Sequence, residues 1–282
     1  MDFILLKKRL IAGILLKNQC VVQSVGFRKY LPIGKLEIVL QFLEQWDIDE
    51  VIILDLDASK NNKTFCFNLL REISKNIFVP LTIGGGISTY EDAQNAFHSG
   101  ADKISINSSF LQNDSFLKDV IHNFGSQSVV VSADVKISNN AEYYVYKDSG
   151  TKKNISLKKW IDKAQEFDVG ELLVCSIAKD GMKNGYDYKL YKKIVDYTQK
   201  PIIAIGGAGS ASHIVNLFKS SDVDAAAIGN VLYFNEHSTS KIKSALVKEN
   251  INVRPSCFIS YDEWNFESDG KIIPRNLKSI YE

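Results

Sequence analysis

The sequence predicts an α/β protein: a (β/α)8 TIM barrel built from two repeated half-barrels, with a C-terminal extension. Three observations lead there. Short apolar, β-branched runs alternate with amphipathic stretches, as in a parallel sheet buried on both faces. Eight such units occupy about 250 residues, the usual size of the barrel. The second four units repeat the first four at an offset of about 120 residues.

The first strand is RLIAGILL, and its exit carries Ile14, Leu15 and Leu16 with no acid. EVIILDLD (50–57) precedes a helical pattern around 63–76, VPLTIGGG (79–86) precedes TYEDAQNAFHSG, and DKISIN (102–107) precedes DSFLKDVIHNFG. SVVVSADVK (128–136), ELLVCS (171–176), KPIIAIGG (200–207) and DAAAIGN (224–230) complete the set. Each strand is expected to lead into a helix. Glu50 and Pro80 are separated by the same thirty positions as Glu171 and Pro201. Extending the repeat to the first strand of each half aligns IAGILLKN with VVSADVKI, which sets Leu15 opposite Asp134. Outside the repeat, EYYVYKDSGTKKNISL (142–157) alternates like a β-hairpin with a DSGTKK turn. The expected domains are a barrel over 1–255 and an aromatic-rich extension over 256–282.

The balance of 34 basic against 33 acidic residues gives no electrostatic reason to expect nucleic acid or an anionic membrane. Cys20, Cys66, Cys175 and Cys257 are far apart, so buried free thiols are expected rather than disulfides or a metal site. Lys7, Lys8 and Arg9 interrupt the early apolar run, and no stretch reaches the roughly 18 apolar residues of a spanning helix. A soluble cytoplasmic protein is expected, with neither metal nor organic cofactor.

In this fold the chemistry lies at the C-terminal ends of the strands. There, Gly84, Gly85 and Gly86 with Asn107 and Ser108 form one candidate phosphate cradle. Gly206 and Gly207 with Gly229 and Asn230 form its repeat-related partner. Glycines let backbone N–H groups approach an anion closely. A lone cluster would read as a tight turn, but two in symmetric positions point to a ligand with a phosphate at each end. The acids at the mouth are Asp55, Asp57, Asp134 and Asp180. Asp134 ends an otherwise apolar strand and is the candidate general acid or base. Asp180, followed by Gly181, reads as a turn or phosphate-loop residue. At the opposite end, Arg9, Glu50, Lys103 and Glu171 stand at strand starts. Charges entering a barrel must be paired, so they form either a salt-bridge plug or a gate.

Over residues 7–255 the chain resembles the cyclase subunit of imidazole glycerol phosphate synthase. The likeness is carried by PLTIGGGISTYEDA, GADKISINSSF, FGSQSVVVSADVK, KDGMKNGYD and PIIAIGGAGS. The resemblance implies a partner: a glutaminase (HisH-like) subunit docked on the N-terminal barrel face, engaged by Asp102. It implies an ammonia gate made of Arg9, Glu50, Lys103 and Glu171, with attack on a bis-phosphorylated substrate at the other face. Phosphate positions are matched by Gly86, Asn107, Ser108, Asp180, Gly181 and Gly207, with one altered to Asn230; Asp55 and Gln127 also match family positions. Departures cluster at the mouth. The family's first-strand catalytic aspartate is Leu15, its loop lysine is Gln23, and Asp57, Cys175 and Ile205 replace hydroxyl residues. A leucine cannot transfer a proton, so two-carboxylate cyclisation should be severely impaired.

Three readings follow. The first is a divergent paralogue that conducts ammonia from a glutaminase to a third, acceptor-binding amidotransferase, as in sugar amidination for surface polysaccharides. The second is an authentic cyclase/lyase of histidine biosynthesis. The third is a non-catalytic phosphate-binding scaffold. The related single-barrel isomerase also needs a first-strand acid.

Overall fold

The computed structural model describes residues 6–58, 63–147, 150–234 and 237–257. Strand β1 (Arg9–Lys17) continues into an antiparallel hairpin, β2 (Cys20–Val25) and β3 (Lys29–Lys35), before helix α1 (Leu36–Gln45). Strands β4 (Glu50–Asp55), β5 (Leu81–Gly84) and β6 (Lys103–Ile106) are separated by α2 (Phe67–Ile73) and α3 (Tyr90–His98). Helices α4 (Ser108–Gln112) and α5 (Asp114–Phe124) lead to the second half. Its first strand, β7 (Val129–Ile137), carries a hairpin of its own, β8 (Tyr143–Lys147) and β9 (Lys152–Ser156). Then come α6 (Leu157–Glu166), β10 (Glu171–Ser176), α7 (Tyr188–Val195), β11 (Ile202–Ile205), α8 (Ala211–Ser220), β12 (Ala225–Ile228) and α9 (Ser238–Lys248).

The parallel strands pair in the order β1–β4–β5–β6–β7–β10–β11–β12, and β12 pairs back on β1. The expected eight-stranded barrel is therefore closed. One expectation is corrected: β1 does not run directly to a helix. Both half-barrels begin with a strand that extends into a hairpin, and the sequence reading identified only the second of these.

Alternation along the strands sorts the core. Ile11, Ile52, Val130, Leu173, Ile203, Ala225 and Ala227 form one buried cluster inside the barrel. Their strand neighbours, such as Leu10, Ile53, Ile104, Val131 and Leu172, join the larger cluster between sheet and helices. Helices form where a cap precedes an apolar stripe. Asn113 accepts a hydrogen bond from the Phe116 N–H at the start of α5, which buries Phe116, Leu117 and Val120 and stops at Gly125 with φ 84°. Thr89 and Asp92 form a reciprocal capping box on α3. Each large buried apolar side chain contributes about 1.5–3 kcal/mol.

The N-terminal ends of the strands are held by a repeated staple. The Asp49 carboxylate accepts the Leu10 N–H at 2.8 Å, Asp102 that of Leu81 at 2.8 Å, and Asp224 that of Ile202 at 2.8 Å. Each aspartate's own N–H donates back to the same residue's carbonyl. Asp49 is also held by Lys243, whose side chain is fully buried, at 2.7 Å, and by Arg254 at 2.8 Å. Asp47 accepts from Ser256 Oγ and from the Cys257 N–H. This clamp carries the ordered contacts across the boundary expected at 255; residues 258–282, most of the expected extension, lie outside the described residues. The four cysteines are free, but Cys257 is exposed and the others only half-buried, against the expectation of buried thiols.

Asp224→Ala is expected to lower stability by about 1–2 kcal/mol by leaving the Ile202 N–H unpaired, with an unchanged denaturant slope in urea unfolding.

Candidate functional site

The charged residues at the strand starts meet in a closed ring. Arg9 donates through Nη1 to Glu50 at 2.7 Å and through Nη2 to Glu171 at 2.7 Å. Lys103 Nζ donates to Glu50 at 3.3 Å and to Glu171 at 2.5 Å. Two cations and two carboxylates thus alternate across the bottom of the barrel. Burial alone would push the Glu171 carboxyl up, but hydrogen bonds and charge from Arg9 and Lys103 outweigh it and hold the pKa below the usual value. Burial opposes the Arg9 charge in the same way, and the Glu171 and Glu50 carboxylates more than offset it. Asp102, beside the ring, is exposed on the same face, with one carboxylate oxygen given to Leu81.

Above the ring, strand parity and register place Ile11, Ile52, Val130, Leu173 and Ile203 in the lumen. Ser105, also inward by parity, is a buried hydroxyl without a hydrogen-bond partner. Higher still, Leu54 and Ile205 pack against the inner cluster. The lumen is aliphatic from the ring to the mouth apart from a few small hydroxyls.

At the mouth, Asp134 ends the inward row of β7, flanked by Asn107, whose Nδ2 donates to it at 3.2 Å. It is partly open toward the mouth but otherwise enclosed by protein. Burial pushes its pKa up to about 6; the Asn107 hydrogen bond opposes this, and the Asp180 charge adds to it. Such a carboxylate is suited to exchange protons near neutral pH. On the other side of the mouth, Leu15 lines a small cleft with Val22, Ile205, Gly207, Gly229 and Asn230. The structure thus brings the second candidate cradle to one cleft, with Leu15 on the β1 side and Asp180 as the acid in its wall. Gln23 on β2 is buried.

The two glycine pairs share one backbone shape. Gly85 and Gly86 have φ 99° and 74°, and Gly206 and Gly207 have 100° and 103°. A Cβ on Gly86 would lie 2.1 Å from the Lys63 carbonyl oxygen, and one on Gly207 2.2 Å from that of Gly185. Side chains are therefore excluded from these turns with or without an anion. Ser108 opens α4 and is exposed.

The remaining acids are engaged in local structure. Asp55 accepts the N–H groups of Asp57 and Ala58, a turn role. Asp57 accepts the Asn18 N–H at 2.7 Å and lies 3.7 Å from Lys17 Nζ. Asp180, next to Gly181, accepts from Ser24 Oγ at 2.6 Å and from the Phe27 N–H at 3.1 Å; burial raises its pKa despite those bonds. Asn230 Nδ2 donates to the Ser24 carbonyl at 2.9 Å. The β2–β3 hairpin is thereby tied over the second cradle. Gln127 is exposed near the N-terminal face. Cys175 lies in the inward row of β10, where burial pushes its thiol well up. Ser24, Lys17 and Tyr30 were not anticipated. Tyr30, with Lys17 Nζ 4.8 Å from its ring centre, has its pKa raised by burial and by the charges of Asp180, Asp134 and Asp57. CVVQSV does not alternate, so its pattern gave no clear signal for this hairpin.

A closed (β/α)8 barrel with an ion ring at one end and a buried carboxylate between paired glycine turns at the other defines a barrel-enzyme class of subunit. Comparison with known proteins identifies the family. The family model described as histidine biosynthesis protein matches residues 9–238, and the chain belongs to that family. It is 36% identical over 270 residues to a putative imidazole glycerol phosphate synthase subunit hisF2 of Vibrio vulnificus, covering 95% of this chain and 99% of the relative. It is 37% identical over 252 residues to the imidazole glycerol phosphate synthase subunit HisF of Petrotoga mobilis, covering 89% and 100%. The HisF subunit of Streptococcus mutans is 32% identical over 251 residues, covering 89% and 100%. No helix among the described residues is long and apolar enough to cross a membrane.

A stability profile tests the Asp134 environment. A carboxyl whose folded pKa is raised favours folding only while protonated, so its contribution is present below pH 4 and lost as pH rises through about 6. Asp134→Asn keeps the Asn107 contact, and is expected to be more stable than the parent by about 1–2 kcal/mol at pH 7.5, allowing for the opening to solvent. The gap should close at pH 4 in paired urea titrations.

Proposed function

We propose that the chain is a HisF-like synthase subunit of a glutamine amidotransferase complex. It receives ammonia from a glutaminase on its N-terminal face, where Asp102 is exposed, and passes it through the barrel to an acceptor held by a separate amidotransferase. Sugar amidination in surface-polysaccharide synthesis is the setting that fits this reading. The observation that carries it is the contrast between the ends of β1: Arg9 completes the ion ring, while Leu15 offers no proton-transfer group at the mouth.

The chemistry follows from charge and burial. Arg9 or Lys103 must swing away from its carboxylates for anything to enter the lumen. Ammonium would lose its hydration among aliphatic side chains, whereas neutral ammonia crosses at a far smaller cost than the ion. The unpartnered Ser105 hydroxyl supports this by offering a passing molecule one hydrogen bond. At the mouth Asp134, largely ionised above pH 6, can exchange a proton with what leaves the lumen on its way to the acceptor enzyme. Glycine turns bearing Gly85, Gly86, Asn107 and Ser108 on one side, and Gly181, Gly206, Gly207, Gly229 and Asn230 on the other, suit a phosphorylated small-molecule ligand.

The competing reading is an authentic cyclase, favoured by the retention of Asp134 and both glycine pairs, and by the printed names of the relatives. Reconstitution with a cognate glutaminase separates the two. Glutamine-dependent transfer is expected only when the acceptor enzyme is added; robust cyclisation by the two subunits alone would overturn the relay. Replacing Leu15→Asp together with Gln23→Lys is expected to raise any residual cyclisation by about 10²-fold or more, the scale of one acid–base group, read as product formed with added ammonium.

A further inference from the structure

On the second half-barrel, beside the hairpin that extends the exit of β7, the β8–β9 hairpin, the start of α6 and the end of α7 form a cleft of about 510 Å³. Its walls include Tyr143, Tyr144 and Tyr197 and the ammonium groups of Lys158, Lys159 and Lys193. Lysine and tyrosine are interleaved there. Lys193 Nζ lies 5.9 Å from the ring centres of both Tyr143 and Tyr197, and Lys158 Nζ 5.4 Å from that of Tyr197. Lys153, on the same hairpin, sits 3.2 Å over Tyr144.

The acids nearby are hydrogen-bonded or ion-paired, although Glu142, which lines the cleft, keeps its negative charge. Glu142 accepts from Tyr144 Oη and from Asn140, both at 3.1 Å. Asp187 accepts from Tyr143 Oη at 3.1 Å and caps α7 through the Leu190 N–H. Asp162 pairs with Lys158. Among the described residues, Lys159 and Lys193 have no carboxylate within ion-pair distance. Lys193 is thus held against aromatic faces without a carboxylate partner, while Lys158 is shared between Asp162 and the Tyr197 ring, in a chain whose net formal charge is only +1. A cation on a ring face keeps its other side free for an anion, and a concave volume of this size is that of a small-molecule site.

We infer that this cleft binds an organic anion of mononucleotide size, its phosphate on Lys159 and Lys193 and its ring system against the tyrosines. The site shares no residue with the glycine turn of Gly206 and Gly207 at the barrel mouth, which lies beside β1, β11 and β12.

Calorimetric titration of the full chain with AMP, ribose 5-phosphate and adenosine tests this. AMP is expected to bind with a Kd on the order of 0.1 mM, and the two fragments at least tenfold more weakly, because each engages only one half of the cleft. Lys159→Glu with Lys193→Glu should weaken AMP at least tenfold. Asn230→Asp, which sets a carboxylate beside the mouth turns, should change it less than twofold. Lys159→Gln alone, at an exposed position, should weaken AMP at least threefold and keeps the test valid if the double variant fails to fold. Absence of AMP binding to the parent, or affinity that follows Asn230→Asp and ignores the lysine variants, would overturn the inference.

Discussion

The pairing of β12 with β1, from Arg9 against Ala225 to Ala12 against Ile228, closes the sheet and decides which side chains share the lumen. Strand side chains alternate, so a slip of one residue would exchange the two faces of β1. Leu10 and Ile14 would then enter the lumen, and Arg9 would be left among the helices without a carboxylate. In the observed register Arg9 stands between Glu50 and Glu171, which belong to different half-barrels. The ring is thus a product of closure, and so is the position of Leu15 across the mouth from Asp134.

Stability does not explain why such a ring is kept. Several kcal/mol of hydration are lost per buried ion, and attraction between the ions roughly offsets that loss; well-packed apolar residues often do as well or better. The staples of Asp49, Asp102 and Asp224 already secure the strand starts through backbone N–H groups. A charged, fully hydrogen-bonded layer differs from an apolar plug in one respect: its members can exchange partners. Moving Lys103 out leaves Arg9 bridging both carboxylates, so each keeps a hydrogen-bonded partner although the ring then carries a net negative charge. That exchange of partners is what the proposed ammonia path would require of the ring.

The barrel was legible because its signal is redundant: buried strands are continuous apolar runs, and the repeat shows them twice. The ring residues were legible because charges at the start of such runs have nowhere else to go. The β2–β3 hairpin was not. Its second strand, KYLPIGK, is mostly exposed and contains a proline and a glycine, so neither period nor composition marks it. It exists because β1 offers its edge beyond Leu15 and because Asp180, distant in sequence, accepts from Ser24 and Phe27. The same contact explains why Asp180 read as a turn residue: its long-range partners lie in the unrecognised hairpin. The staples were equally hidden, since a single aspartate before a strand resembles any loop acid until its backbone partner is seen.

The two hairpins show how one duplicated device can acquire two uses. Each extends the first strand of its half and pairs antiparallel to that strand's exit. In the first half the hairpin bends over the barrel, where Ser24 holds Asp180 and accepts from Asn230, so Val22 and Leu15 wall the second cradle with aliphatic groups. In the second half the hairpin leans outward onto α6 and α7, leaving Asp134 bordered by Asn107 and partly open. Leu15 and Asp134 are both half-buried, so a side chain at either strand exit reaches the mouth. The exits differ in what borders them: Leu15 stands beside Val22 and Ile205, whereas Asp134 has a polar neighbour in Asn107 that holds its carboxylate where it can exchange a proton.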